Sequence, residues 1–136
     1  MTAHLEWLNL SLIPGQGVGG YWPLVNHFGS PGEVLRASRR DLMRVPGIQD
    51  RQLSGLFDGS DLQQRGEKEY ERLAAFGGML LSYTDPGYPE LLKELTDPPP
   101  ILYLLGDPAL LTQPMVAMVG SRAATSYGRR IAYDLA

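Results

Sequence analysis

The stretch Met115-Val116-Ala117-Met118-Val119-Gly120-Ser121-Arg122-Ala123-Ala124-Thr125-Ser126-Tyr127-Gly128 decides the fold class that we predict for the C-terminal half. Its first five residues form a continuous apolar run, which is typical of a strand buried on both faces. A glycine turn follows, and residues 129–136 have helix-forming composition. The order of strand, turn and helix predicts an α/β unit.

The glycine turn also predicts an anion site. A turn of this kind directs free backbone N–H groups and the positive end of a helix dipole toward one point. The hydroxyls of Ser121 and Thr125 add donors, and the forked guanidinium of Arg122 suits phosphate. We therefore take Gly120, Ser121, Arg122 and Thr125 as candidate phosphate-binding residues. The turn matches neither GxGxxG nor GxxxxGK[ST], so no dinucleotide or nucleoside triphosphate is indicated.

Two further apolar runs, Met79 to Tyr83 and Ile101 to Leu105, predict strands, and Pro89 to Leu95 predicts a short helix between them. Together with Met115 to Val119 they predict a parallel sheet. The fold class is thus α/β for this half and α+β for the chain as a whole.

The N-terminal half has the pattern of short helices. Leu5, Leu8 and Leu12 follow helical spacing up to Pro14-Gly15. Ser30-Pro31-Gly32-Glu33 has the form of a capping box, and Ser38-Arg39-Arg40-Asp41 repeats the device. A longer amphipathic helix is predicted from Ser60 to Phe76, ending at Gly77-Gly78. Its apolar positions are Leu62, Tyr70, Leu73 and Phe76.

An internal repeat relates Ile13-Pro14-Gly15-Gln16-Gly17 to Val45-Pro46-Gly47-Ile48-Gln49. It resembles the tandem helix-hairpin-helix, whose glycine-rich turn offers backbone N–H groups to a nucleic-acid phosphate. A turn that needs positive φ and close approach to a phosphate cannot carry a Cβ. The possible secondary DNA contacts are Gly15, Gly17, Gly47, Arg44 and Arg51. A purely structural or protein-docking role for this half stays open beside direct DNA contact.

The charge is segregated along the chain. The net charge is −3, yet residues 36–51 hold five arginines against two aspartates. A second basic group consists of Arg122, Arg129 and Arg130. A polyanion would meet positive potential at either group, although arginines on amphipathic helices often form only a solvated face.

Composition excludes several classes of function. The chain has no cysteine, which removes disulfides, thiolate metal sites and a cysteine nucleophile. Its longest aliphatic and aromatic run is far shorter than the ~20 residues of a membrane helix. The N-terminus lacks a secretory signal, so we expect a cytoplasmic protein with no membrane association.

The chain closely resembles the DNA-processing protein family called DprA or Smf. The segments that carry the resemblance are Tyr88-Pro89-Glu90-Leu91-Leu92, Asp97-Pro98-Pro99-Pro100-Ile101-Leu102-Tyr103, Gly106-Asp107 and Val116 to Arg122, with Thr125 and Tyr127-Gly128. Leu10 to Gly15 and His27 to Ser30 are similar to that family's small N-terminal helical domain, which is helix-hairpin-helix or SAM-like.

This resemblance implies a protein that binds single-stranded DNA during natural transformation, protects it and helps to load the RecA recombinase. It implies no enzymatic activity, cofactor or metal, and a homodimer in the full-length family. Residues 1–77 would form the helical domain, and residues 78–136 the first part of an extended Rossmann-like DNA-binding domain. We therefore expect the chain to be a truncated N-terminal fragment, in which folding and DNA binding of the second part alone are in doubt.

Two other functions remain open. A nucleotide-phosphate-binding hydrolase on a Rossmann-like fold would also use a Gly-Ser turn before a helix, but no base with catalytic spacing is evident. Alternatively, the helical half is a protein-interaction module whose arginines meet an acidic partner.

Overall fold

A computed structural model describes residues 3–13, 20–57 and 61–136, without the side chains of Arg51 and Gln52. Within these residues the chain is α+β and mostly helical, with one two-stranded sheet. The helices are α1 (Ala3–Ser11), α2 (Trp22–Phe28), α3 (Pro31–Arg36), α4 (Arg39–Leu42), α5 (Asp50–Phe57), α6 (Leu62–Ala75), α7 (Glu90–Lys93) and α8 (Ser126–Leu135); the strands are β1 (Met79–Ser82) and β2 (Ile101–Leu104). A 3-10 helix spans Pro108–Thr112.

Short polar side chains begin the helices of the N-terminal half. The backbone N–H of Glu33 donates to Ser30 Oγ at 3.2 Å, and that of Asp41 donates to Ser38 Oγ at 3.2 Å. Each bond satisfies a donor that the first helical turn leaves free. The predicted starts of α3 and α4 are confirmed.

Helix α1 lies at the centre of the hydrophobic core. Its Trp7, Leu8 and Leu10 are buried, and α1 packs against α3 and α6. Other members of the core are Leu24, Val34, Leu42, Val45, Leu53, Leu80 and Ile101. Because Leu80 and Ile101 belong to the two strands, the sheet and the helices share one core. The predicted domain boundary lies between residues 77 and 78. The segments on its two sides pack together in this shared core.

An aromatic seam joins the α1–α2 region to the loop between the strands. Trp22 Nε1 donates to the carbonyl of Pro98 at 2.9 Å, and Trp7 Nε1 donates to Thr84 Oγ1 at 3.3 Å. The Tyr88 hydroxyl donates to the carbonyl of Pro99 at 2.6 Å, and burial raises the pKa of Tyr88, which keeps this donor protonated. These bonds fix the proline-rich segment before β2 against the helices.

The two strands pair in antiparallel fashion, with Met79 opposite Leu104 and Ser82 opposite Ile101. The predicted parallel arrangement is wrong for this pair. Burial alternates along β1 because only one face of the sheet packs on α1, as is common in antiparallel sheets. The connection contains only the four-residue helix α7, which does not act as a crossover helix between parallel strands.

The third predicted strand is also absent from the described residues. Met115 to Val119 has no strand structure, and Val116 and Val119 are 91% and 95% exposed. A strand needs a neighbour for its backbone N–H and C=O groups, and no described strand lies beside this segment. The Rossmann-like parallel sheet is therefore not formed within these residues.

The turn between α4 and α5 depends on Gly47. Its φ is +84°, which confirms the positive φ predicted for this turn. Replacing Gly47 with valine should destabilise the protein by about 1–2 kcal/mol, because a β-branched residue is strained in the left-handed region. Thermal melting should show a lower Tm for Gly47→Val and little change for the neighbouring exposed Pro46→Ala. An unchanged Tm for Gly47→Val would contradict this role.

Candidate functional site

The predicted phosphate-binding turn lies between residues 113–119, which form no helix or strand, and helix α8. Thr125 is the N-cap of α8, and its Oγ1 accepts a hydrogen bond from the N–H of Gly128 at 3.1 Å. Ser121 Oγ likewise accepts from the N–H of Ala123 at 3.1 Å. Both hydroxyls act as acceptors in these bonds, so the proton of each is available to donate to an external anion.

The first turn of α8 supplies further donors. The backbone N–H groups of Ser126 and Tyr127 precede the first intrahelical bond, and neither has a partner among the described residues. Such groups, together with the positive end of the dipole of this ten-residue helix, favour an anion. The hydroxyls of Ser121 and Thr125 and this helix start occupy the same short segment.

A cavity of about 430 Å³ opens beside the turn. Its lining includes Gly120, Ser121 and Thr125, and its cationic side chain is Arg129. Arg122 is exposed but does not line this cavity. The structure therefore adds Arg129 to the predicted set.

The sequence contained a signal for Arg129. It follows the N-cap Thr125 by four residues, and helical side chains lean toward the helix N-terminus. An arginine at this position can therefore reach a ligand held at the start of the helix.

Gly120 contributes open space rather than an unusual backbone conformation. It is not among the glycines with positive φ, and a Cβ built on it would contact nothing within 4 Å. A ligand can therefore approach its backbone closely.

The three arginines of the second basic group differ in their environment. Arg130 Nε lies 3.8 Å from Asp134 Oδ2, one turn further along α8. Arg122 and Arg129 form no ion pair with any residue that the structure describes. They remain available for an external anion.

Most of the first basic group is neutralised by carboxylates. Arg39 forms a forked pair with Asp50, at 2.6 Å and 2.7 Å from its Nη2, and this hydrogen-bonded partner raises the pKa of Arg39. Arg36 contacts Glu33 and Glu6, and Arg44 Nη1 lies 3.2 Å from Asp41 Oδ1. The net charge of residues 36–51 therefore overstates their attraction for a polyanion.

The secondary DNA contacts proposed from the repeat stay predictions. Gly15 and Gly17 lie outside the described residues, as does the side chain of Arg51. Gly47 occupies an exposed turn, and Arg44 would have to exchange Asp41 for a phosphate. Val45 and Leu53, which belong to the second repeat unit, are buried in the core.

No cluster of three or more histidine, aspartate or glutamate side chains able to hold a metal occurs in ranges 3–13, 20–57 and 61–136. Among the helices that the structure describes, none combines the length and apolar character needed to cross a membrane.

Comparison with known protein families gives a match over part of the chain. Residues 79–136 match the family model described as DNA recombination-mediator protein A. No curated protein and no solved structure matches the chain. The matched segment contains the sheet, the turn at Gly120 and helix α8.

Proposed function

We propose, from the match of residues 79–136 to the model of the DNA recombination-mediator protein A family, that the chain is part of a mediator that binds single-stranded DNA. Its role would be in DNA uptake, where it protects the incoming strand and helps to load RecA. The proposal assigns it a binding function and no covalent chemistry, cofactor or metal. We further propose a cytoplasmic location and a homodimer for the whole protein.

The observation that carries the proposal is the convergence of anion donors at one turn. Ser121, Thr125 and Arg129 line one cavity. The two free N–H groups at the start of α8 belong to the residues that directly follow Thr125. These groups recognise phosphate without reading a base, which suits sequence-tolerant binding to a strand. Arg122 adds an exposed cation in the same turn.

The exposed apolar segment before the turn fits the proposed Rossmann-like domain. Met115 to Val119 has the composition of a buried strand, and its backbone has no strand partner in the described residues. We propose that a further strand pairs with this segment in the assembled domain and fixes the position of the turn.

The binding test compares three arginines of the same region. We expect Arg122→Ala and Arg129→Ala each to weaken binding of a labelled single strand by about 1–3 kcal/mol, because each removes a charged partner of a phosphate. The dependence of log K on log salt should fall by about 0.7 for each phosphate that the protein no longer neutralises. Fluorescence anisotropy at two salt concentrations measures both effects.

Arg130→Ala is the matched control, since Arg130 shares helix α8 but already lies near Asp134. It should change the affinity much less than Arg129→Ala. Equal affinities for the unmodified chain, Arg122→Ala and Arg129→Ala would remove the turn from the DNA site. Tight binding to a protein partner with salt-insensitive, weak binding to DNA would favour the interaction-module alternative.

A further inference from the structure

Three cations form a stripe along one face of α6. Arg65, Lys68 and Arg72 occupy positions i, i+3 and i+7 of this 14-residue helix, and such positions share one face. They span about 10 Å along the helix axis, since each residue rises 1.5 Å. Together with Leu12 and Glu69 they line a shallow groove of about 270 Å³, and Lys68 and Arg72 also border a second groove of about 510 Å³.

Arg65 and Lys68 form no ion pair with any residue that the structure describes, while Glu69 and Glu71 line the two grooves beside the stripe. Lys68 Nζ donates to the neutral amide oxygen of Gln64 at 3.1 Å. The nearest carboxylate oxygen of Glu69 lies 4.0 Å from Arg72 Nη1. Like charges three and four residues apart also destabilise an isolated helix. The stripe thus contrasts with the paired cations Arg36, Arg39 and Arg44.

An exposed aromatic ring extends the same face. Phe76 follows Arg72 by four residues and is the C-cap of α6, with φ −84° and ψ 2°. Phe76 is one of the apolar positions of the predicted amphipathic helix, yet its side chain is 80% exposed. The chain ends α6 at this point through Gly77, whose φ is +71°, and the ring remains outside the core.

A row of cations followed by an aromatic ring is the arrangement that single-stranded nucleic acid uses. The cations neutralise successive phosphates, and an aromatic ring gives a base a surface for stacking. Phosphates spaced by about 3.4 Å along a stacked strand would place about three of them beside the stripe. An acidic peptide would pair with the cations but would give no reason for a bare ring at the end of the row.

We propose that this face of α6, formed by Arg65, Lys68, Arg72 and Phe76, is a second binding track for single-stranded DNA. The three cations bind consecutive phosphates, and Phe76 stacks on one base. This track is a site separate from the turn at Gly120, and the proposal rests on the proposed DNA-binding function. It also assigns DNA contact in the helical half to α6 rather than to residues 36–51.

The test uses the full chain and a labelled oligothymidine single strand. The triple variant R65Q/K68Q/R72Q should weaken binding at least tenfold and lower the salt slope by about 2, which corresponds to three phosphates. The matched control R36Q/R39Q/R130Q removes the same charge from cations that already lie beside carboxylates, and should change the affinity no more than about twofold. All these side chains are exposed, and equal melting temperatures will confirm that each variant is folded.

Phe76→Ala separates base stacking from charge. It should weaken oligothymidine binding about fivefold or more, since stacking contributes about 1–3 kcal/mol per base. It should leave binding of inorganic polyphosphate, which has no bases, unchanged, while R65Q/K68Q/R72Q weakens polyphosphate binding as well. Weaker polyphosphate binding by the triple variant would identify the stripe as a phosphate track. Weaker oligothymidine binding by Phe76→Ala, with unchanged polyphosphate binding, would identify the ring as a base contact.

Several outcomes would overturn the proposal. Unchanged DNA binding by the α6 triple variant would do so, and would leave an acidic protein as the partner of the stripe. Equal losses of DNA affinity in both triple variants would also overturn it, because the affinity would then depend only on the total charge of the protein. A Phe76→Ala variant that binds DNA normally would remove the stacking contact. Loss of binding with Arg122→Ala and Arg129→Ala alone would reject this track while retaining the proposed function.

Discussion

Replacing Trp7 with alanine should lower the free energy of unfolding by about 3–5 kcal/mol, the largest effect that we expect from one substitution. Trp7 lies on α1, is 3% exposed and belongs to the hydrophobic core. Its ring lies 5.4 Å from that of Trp22 and 6.4 Å from that of Tyr83, so alanine would leave a cavity at the aromatic seam. Denaturant unfolding monitored by circular dichroism measures the change.

Two control variants divide this effect into its parts. Trp7→Phe keeps a ring in the seam but loses the bond from Nε1 to Thr84 Oγ1. Thr84→Val keeps Trp7 and removes the acceptor, together with the contact of Thr84 Oγ1 with Ser82 Oγ at 3.3 Å. Each should cost less than Trp7→Ala, since a single hydrogen bond contributes about 0.5–1.5 kcal/mol. A Trp7→Ala variant as stable as the unmodified chain would refute the shared core between α1 and the sheet.

The second large effect is expected at the crossing of α1 and α6. A Cβ added to Gly66 would overlap Asn9 Oδ1, and both residues are buried. Gly66→Val should therefore destabilise the protein by about 2–3 kcal/mol, because overpacking outweighs the small gain in helix propensity. The loss should appear as a lower midpoint of denaturant unfolding.

Ala74→Val is the matched substitution on the exposed side of the same helix. It should change stability by about 0.5 kcal/mol or less. If the two variants were equally stable, the close approach of α1 and α6 at Gly66 would be wrong. A selective loss in Gly66→Val would show that glycine is needed there for packing rather than for a turn.

Local features of the fold could be predicted because their causes lie within a few residues. The caps at Ser30 and Ser38 each depend on a hydroxyl and an N–H three residues later. The positive φ of Gly47 follows from the chemistry of its own turn. Strand pairing differs, because the partner of β1 is chosen by packing against α1, and the composition of the strand does not specify that partner.

Electrostatic partners were equally hard to predict. Glu6 reaches Arg36 across thirty residues, and Glu33 also pairs with Arg36. Both glutamates lie outside residues 36–51, so a sum of charges along that range misses part of the neutralisation. The opposite error affects α6. Residues 52–114 have an acidic sum, which conceals three cations on one helical face. Helical periodicity applied to charge, as well as to apolar residues, would have found them.

The positions of Leu80 and Ile101 in the helical core change where the chain can be divided for separate study. A cut at Gly77 would strip the strands from α1 and leave apolar side chains of both pieces facing water. A cut near Gly106 would leave that core complete, because the residues that follow carry mostly exposed side chains. The segment from β1 to β2 thus lies within the matched residues 79–136 but packs with the N-terminal helices. Any domain-swap experiment should transfer it together with α1 and α2.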